Sequence, residues 1–254
     1  MNQPQLLSVV IPAYNEEKTL AEIVEKVVRI PYLQEIVIVD DCSADATPTL
    51  VARLCQTYPI IRSLRLPKNS GKTAALVAGF AITCGEIVIV QDADLEYDPA
   101  EIQEVISPIL GGKADVVYGS RFMVRRAARV VYFYHYLANK SLTFLSNLFT
   151  NMNMSDVETG YKAFRGEIIR QMIITSSRFG FEIEVTAKMA KLRCPVYEVP
   201  ISYYGRTYEE GKKIGMKDGI HALWYILKYN VLTGKQKSFR TVPDLKPLRV
   251  ANAV

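Results

Sequence analysis

Three stretches of this sequence are almost wholly apolar over the length of one strand and then turn polar within a residue or two. Leu6–Pro12 runs into Tyr14-Asn15-Glu16, Glu35–Val39 into Asp40-Asp41, and Glu86–Gln91 into Asp92-Ala93-Asp94-Leu95-Glu96. Runs this short and this uniformly apolar read as strands buried on both faces, because a half-exposed strand alternates. Between them the period changes. Leu20, Ile23, Val24, Val27 and Val28 recur at helical spacing within Thr19–Ile30, and Ala46–Tyr58, Lys72–Cys84 and Pro99–Leu110 read as further helices, the last with Pro at its first position. Ile61–Leu66 and Val116–Tyr118 complete five strands. Strand–helix alternation of this kind predicts an α/β fold with a mainly parallel central sheet flanked by helices. Ligands in such sheets bind at the carboxyl ends of strands, so the polar clusters should converge on one edge.

Beyond residue 120 the character changes. Arg121, Arg125, Arg126 and Arg129 cluster, and Val130–Met154 is then rich in Tyr, Phe and Leu. Asp156–Arg165 is polar and glycine-containing, Phe179–Leu192 reads as a helix, Val196–Tyr204 as a strand and Asp218–Tyr229 as an amphipathic helix. The segment from Lys235 is basic, proline-bearing and expected to be loose. With no repeat or linker, one domain over 1–234 with a basic tail at 235–254 is preferred.

Composition excludes several classes. The balance of 31 Lys+Arg against 26 Asp+Glu gives a mild +5, and no nucleic-acid motif appears, so nucleic acid is not an expected partner. Cys42, Cys55, Cys84 and Cys194 are scattered, without a zinc spacing or a disulfide framework. No window supplies the roughly 18 apolar residues of a membrane span. A cytoplasmic location is expected, with peripheral contact to the cytosolic membrane face: the arginine cluster beside an aromatic segment suits anionic head groups. Apolar positions in Tyr136–Phe149 suit a core helix and a membrane surface equally.

Four carboxylates within Asp92–Asp98 need an offset for their repulsion. Asp92 and Asp94 would project to one side if strand geometry continued, a donor set that suits Mg²⁺ or Mn²⁺ shared with substrate phosphates. The alternative is a solvated loop, and for Asp98 a helix cap is the preferred reading. Asn69-Ser70-Gly71-Lys72-Thr73 is no ATPase phosphate loop, because Leu66 stands where the motif needs glycine. Lys72 at a helix start suits a phosphate or plain solvation. Asp40 and Asp41 suit ribose or base hydrogen bonds, or a cap.

Taken in order, SVVIPAYNEE, IVIVDDCSADAT, NSGKTAALVAGF, VIVQDADLEYDP, YGSR and DVETGYKAFR resemble the family 2 inverting glycosyltransferases, above all the dolichyl- or polyprenyl-phosphate sugar transferases, over about residues 6–234. The resemblance implies a GT-A type nucleotide-sugar-binding fold with C-terminal amphipathic helices. Residues 6–120 would form the nucleotide-sugar and metal half, and 121–234 the acceptor half. It implies that Pro12, Tyr14, Glu16 and Asp41 line base and ribose, that Lys72 lies near the diphosphate, and that Asp92, Ala93 and Asp94 meet the donor. Asp92, Asp94 and Glu96 would hold Mg²⁺ or Mn²⁺, Glu96 standing where relatives often have Gln. Asp156 and Thr159-Gly160 would shape the sugar pocket. Arg121, Arg129, Arg206 and Lys213 would face phosphates, with Arg121 and Arg206 catalytic beside Asp92 and Asp94.

The implied partners are a nucleotide sugar, GDP-mannose slightly ahead of UDP-glucose, a dolichyl or polyprenyl phosphate, and a membrane surface; a homo-oligomer stays open. Two departures stand out. Phe122-Met123-Val124-Arg125-Arg126 replaces a glycine-rich stretch, and the appended membrane helices of many relatives are missing. Competing readings are transfer to a soluble hydroxyl, with Glu182 or Glu184 as base, and a non-catalytic nucleotide-sugar binder.

Overall fold

The computed structural model describes residues 4–123, 130, 132–177, 180–205 and 216–245. Seven strands form one sheet: β1 (Leu7–Ala13), β2 (Leu33–Asp40), β3 (Ile61–Arg65), β4 (Ile87–Val90), β5 (Val116–Ser120), β6 (Lys162–Arg165) and β7 (Val196–Pro200). Their spatial order is β3-β2-β1-β4-β6-β5-β7. All neighbouring pairs are parallel except those of β6, which runs antiparallel to both β4 and β5.

The apolar runs are continuous because both faces are covered. Val9, Ile11, Ile36, Ile38, Ile87 and Ile89 point to one side, onto α1 (Leu20–Val27), α2 (Thr47–Thr57) and α4 (Ile102–Leu110). Val10, Val37, Val39, Val88 and Val90 point to the other. There they meet α3 (Lys72–Ile82), α6 (Gly166–Gln171), α7 (Phe181–Leu192) and α8 (Met216–Leu227). Alternate residues thus feed two cores, each fully buried Val, Leu or Ile side chain contributing about 1.5–3 kcal/mol. Helix α3 lies so close to the sheet that a Cβ on Gly79 would come within 2.6 Å of Val10 Cγ1.

Several boundaries differ from the expected ones. β6 falls within the polar stretch Asp156–Arg165, where Lys162 and Arg165 hid it. Arg165 pairs with Asp115 at 3.0 Å, and the Lys162 ammonium bonds the carbonyls of Val157 and Thr159. β7 stops at Pro200 because the chain beyond it is captured by the acidic loop: Ser202 N–H donates to Glu101 at 2.8 Å, and Tyr204 N–H to the Glu96 carbonyl at 2.9 Å. α8 ends at Leu227 and continues as a π-helical turn, Lys228–Leu232.

Helix α5 (Phe133–Thr150) packs Leu142 and Leu145 on the apolar core, but its most buried positions are polar. Its buried residues are Asn139, Thr143 and Ser146, whereas Phe133, Tyr134, Leu137, Phe144 and Leu148 are exposed. The buried face is polar because it serves a polar neighbour: Asn147 exchanges hydrogen bonds with Met154 at 2.8 and 3.1 Å, and Thr143 Oγ1 accepts the Val157 N–H.

The expectation of a loose tail fails for residues 235–245. Ser238 and Phe239 are buried, Ile173 N–H donates to the Ser238 carbonyl, and Arg240 N–H to that of Gln171. Phe239→Ala should therefore cost about 3 kcal/mol, as for other buried Phe truncations, and lower Tm by several degrees in a thermal melt. A loose tail would leave Tm unchanged.

Candidate active site

The topology brings the polar clusters to one edge. β1, β2, β4, β5 and β7 run the same way, so Tyr14, Asp40-Asp41, Asp92-Ala93-Asp94, Arg121 and Ser202-Tyr203 all follow strand ends on that side. β6 runs backwards, and its start therefore brings Asp156–Tyr161 to the same edge. This is the carboxyl-end crevice where open parallel sheets bind ligands.

At its centre the Lys72 ammonium sits 2.8 Å from Asp92 and 3.5 Å from Glu182 Oε1. Lys72 is the first residue of α3, after Gly71 at φ 87°, a left-handed conformation that favours glycine. Asp41 fixes this turn: its two oxygens accept the N–H groups of Ser70 and Gly71, both at 2.7 Å. Burial by itself lowers the Lys72 pKa, but the carboxylates of Asp92 and Glu182 outweigh it and hold the ammonium above its ordinary value. Gly160 packs directly against the pair. A Cβ there would come within 2.7 Å of Asp92 Oδ2 and 2.9 Å of Lys72 Nζ.

A second ion pair lies beside the first. Arg121 grips the fully buried Asp156 with Nε at 2.6 Å and Nη2 at 2.7 Å, a bidentate geometry that fixes the guanidinium plane. Desolvation opposes both charges, yet Arg121 holds Asp156 below the usual carboxylate range and Asp156 raises Arg121. The guanidinium also lies 5.2 Å from the Tyr203 ring centroid. Tyr203 packs on Tyr97 and Tyr97 stacks on Tyr161, with centroids 5.6 and 5.2 Å apart. The Tyr97 hydroxyl, pushed up to about 12 chiefly by burial, accepts the Gly160 N–H at 3.0 Å. The aromatic column thus ties the acidic loop to both ion pairs.

Behind Gly160 lie further buried charges. Burial, reinforced by Glu182, pushes Glu158 up to about 7, and burial lowers Lys162 to about 8. Glu184, expected as a possible base beside Glu182, is not part of this cluster. It accepts the N–H groups of Thr175 and Ser176 and pairs with Lys188, anchoring the loop before α7.

The carboxylates expected to share a metal are differently engaged. Asp92 is on Lys72, Asp94 Oδ1 accepts the Glu96 N–H at 3.1 Å, and Glu96 Oε2 accepts the Tyr203 hydroxyl at 3.0 Å. Among the described residues no group of three or more His, Cys, Asp or Glu is arranged to hold a metal ion. The oxygen donors of Asp92 and Asp94 nonetheless fit a hard divalent cation that takes one or two carboxylates and completes its shell with substrate phosphates.

The other expected residues sort by their surroundings. Tyr14 is exposed at the edge and Pro12 is half-buried in β1, whereas Glu16 is buried and accepts the Thr19 hydroxyl at 3.0 Å. Ala93 turns its methyl into the core, so only its backbone can meet a ligand. Thr159 is fully buried, its hydroxyl accepting the Tyr161 N–H and its carbonyl taken by Lys162; Gly160 is the residue that faces the ion pair. Asp98 caps the 3-10 turn at Pro99 by accepting the Ala100 N–H. Arg129, Arg206 and Lys213 lie outside the described residues. Sequence reading missed Tyr97, Tyr203, Glu158 and Lys162, whose only signal was aromatic or charged residues close to strand ends.

Comparison with known proteins identifies the family and the fold. A family model described as glycosyl transferase family 2 matches residues 8–173. A dolichol-phosphate mannosyltransferase of Pyrococcus furiosus is 30% identical over 82% of this chain and 59% of its own. An undecaprenyl-phosphate 4-deoxy-4-formamido-L-arabinose transferase of Salmonella choleraesuis is 31% identical over 81% of this chain and 62% of its own. The chain thus spans about six-tenths of the length of these curated relatives. In fold it is similar to glucosyl-3-phosphoglycerate synthase from Mycobacterium tuberculosis, solved with Mn²⁺, uridine diphosphate and glucosyl-3-phosphoglycerate. The TM-score is 0.69 at 19% identity, covering 89% of this chain and 80% of that one. The sheet, the strand-edge site and the family match lead to one conclusion: the chain belongs to glycosyl transferase family 2 and has the GT-A fold.

Proposed function

We propose that the protein is an inverting glycosyltransferase that moves a hexose from a nucleotide sugar, GDP-mannose or UDP-glucose, to a dolichyl or polyprenyl phosphate at a membrane surface. The acceptor assignment is carried by α5, which packs Leu142 and Leu145 on the core but leaves Phe133, Tyr134, Leu137, Phe144 and Leu148 exposed. Helix α8 packs against it and adds exposed Leu223, Trp224 and Leu227. No helix among the described residues is long and apolar enough to cross a membrane, so this surface would meet lipid from one side. The names of both curated relatives support a polyprenyl-type acceptor.

In the reaction an acceptor phosphate oxygen attacks the anomeric carbon, the bond from that carbon to the nucleoside diphosphate breaks, and configuration inverts. A phosphate monoester is largely ionised at neutral pH, its second pKa lying near ~6, so no general base is required. Catalysis then rests on position and charge. Lys72, at a helix N-terminus, holds positive charge where the diphosphate leaves and keeps Asp92 oriented. Arg121, its plane set by Asp156, faces the anionic nucleophile, and Gly160, lacking a side chain, lets the backbone pack directly on the Asp92–Lys72 pair. Mg²⁺ or Mn²⁺ on Asp92 and Asp94 would supply Lewis-acid neutralisation of the departing diphosphate. Transfer to a soluble hydroxyl is the second reading, favoured by the fold neighbour; it needs a base, and Glu182, 3.5 Å from the Lys72 ammonium, is the candidate.

Asp94→Asn should abolish transfer while leaving Tm and circular dichroism unchanged; full activity of that variant with metal chelated would contradict the mechanism. The chain's one tryptophan, Trp224, is about half exposed and reports on docking directly. Its emission should shift to shorter wavelength on anionic vesicles, and an unshifted spectrum would count against membrane seating.

A further inference from the structure

Glu198 stands outside the row of strand-end residues, on β7 opposite Tyr118 of β5. Its carboxylate accepts the Ser155 N–H at 2.9 and 3.0 Å, the Ser155 hydroxyl at 3.0 Å and the Asp156 N–H at 3.3 Å. Ser155 is held from its other sides as well. Its Oγ lies 2.6 Å from Ser120 Oγ, and its carbonyl accepts the Lys140 ammonium of α5 at 2.8 Å. The next residue is Asp156, whose two oxygens set the Arg121 guanidinium. Glu198 is only half-buried, yet it has no cationic partner among the described residues and burial raises its pKa. A neutral acceptor could cap one of these N–H groups without any charge to shield from water. What the carboxylate adds is reach: two oxygens that take donors from consecutive residues at once and lock their relative geometry.

We propose that Glu198 is a positioning residue for the acceptor phosphate: it fixes the Ser155–Asp156 turn and, through Asp156, the orientation of Arg121. The inference rests on the reading that Arg121 faces the acceptor. A residue serving stability alone would affect donor and acceptor alike, whereas one acting through Arg121 must act on the acceptor.

The test is steady-state kinetics of Glu198→Ala, Glu198→Gln and Arg121→Lys with a short polyprenyl phosphate and whichever of GDP-mannose or UDP-glucose is turned over. Glu198→Ala should raise the acceptor KM by about tenfold or more, the scale of losing hydrogen bonds to a charged group, while the donor KM stays within about twofold. Arg121→Lys should give the same acceptor-selective pattern, and Glu198→Gln, which keeps one acceptor oxygen, should fall between wild type and Glu198→Ala. Should Glu198→Ala fail to fold, Glu198→Gln carries the comparison. An acceptor-selective Arg121→Lys with Glu198 variants that shift both KM values equally, or neither, overturns the role of Glu198 alone. An Arg121→Lys variant with unchanged acceptor KM overturns the acceptor reading itself, and the role of Glu198 with it.

Discussion

A parallel sheet buried on both faces has nowhere to present polar side chains except its ends, and that constraint shapes this molecule. Alternate valines and isoleucines of β1, β2 and β4 feed two separate apolar cores, so chemistry is confined to the residues after each strand. The single reversed strand, β6, strengthens the effect. By running backwards between β4 and β5 it delivers its leading segment, Asp156–Tyr161, to the edge where the other strands deliver their trailing ones.

Electrostatics then organises that edge. Two ion pairs, the partly buried Lys72–Asp92 and Arg121 on the fully buried Asp156, sit side by side and are linked by the Tyr203–Tyr97–Tyr161 column. Losing Asp156 would leave the Arg121 guanidinium without its bidentate partner, whereas Lys72 would keep Glu182 if Asp92 were lost. The Lys72 ammonium and the Arg121 guanidinium are each held in place by carboxylates at this edge. Helix α5 belongs to the same design: its inward polar residues hold the Met154–Val157 segment beside Leu142 and Leu145 on the core, and Phe133, Tyr134, Phe144 and Leu148 are exposed.

Much of this was legible in the sequence, for reasons that differ by element. Continuous apolar runs identified β1, β2 and β4, and polar residues straight after them located the edge. Asp98 was readable as a cap because the proline after it starts a helical turn. β6 was hidden because Lys162 and Arg165 are charged, and only tertiary partners explain how a four-residue strand buries them. Phe239 was hidden by the basic residues around it. Periodicity in α5 gave the helix but not its orientation, since outward and inward apolar faces have the same spacing. For the acidic loop, spacing suggested Asp92 and Asp94 as a pair and the family resemblance added Glu96, whose carboxylate accepts the hydroxyl of Tyr203, a residue far away in sequence.

The central claim is that this edge joins a nucleotide sugar to a lipid phosphate. The most direct test incubates the purified protein with GDP-mannose or UDP-glucose labelled in the hexose, a divalent cation and a polyprenyl phosphate in detergent, and follows the label. The account predicts that label enters the organic-extractable lipid as a hexosyl phosphate whose anomeric configuration is opposite to the donor's. Label appearing only in water-soluble hydroxyl acceptors, or a lipid product with retained configuration, would contradict it.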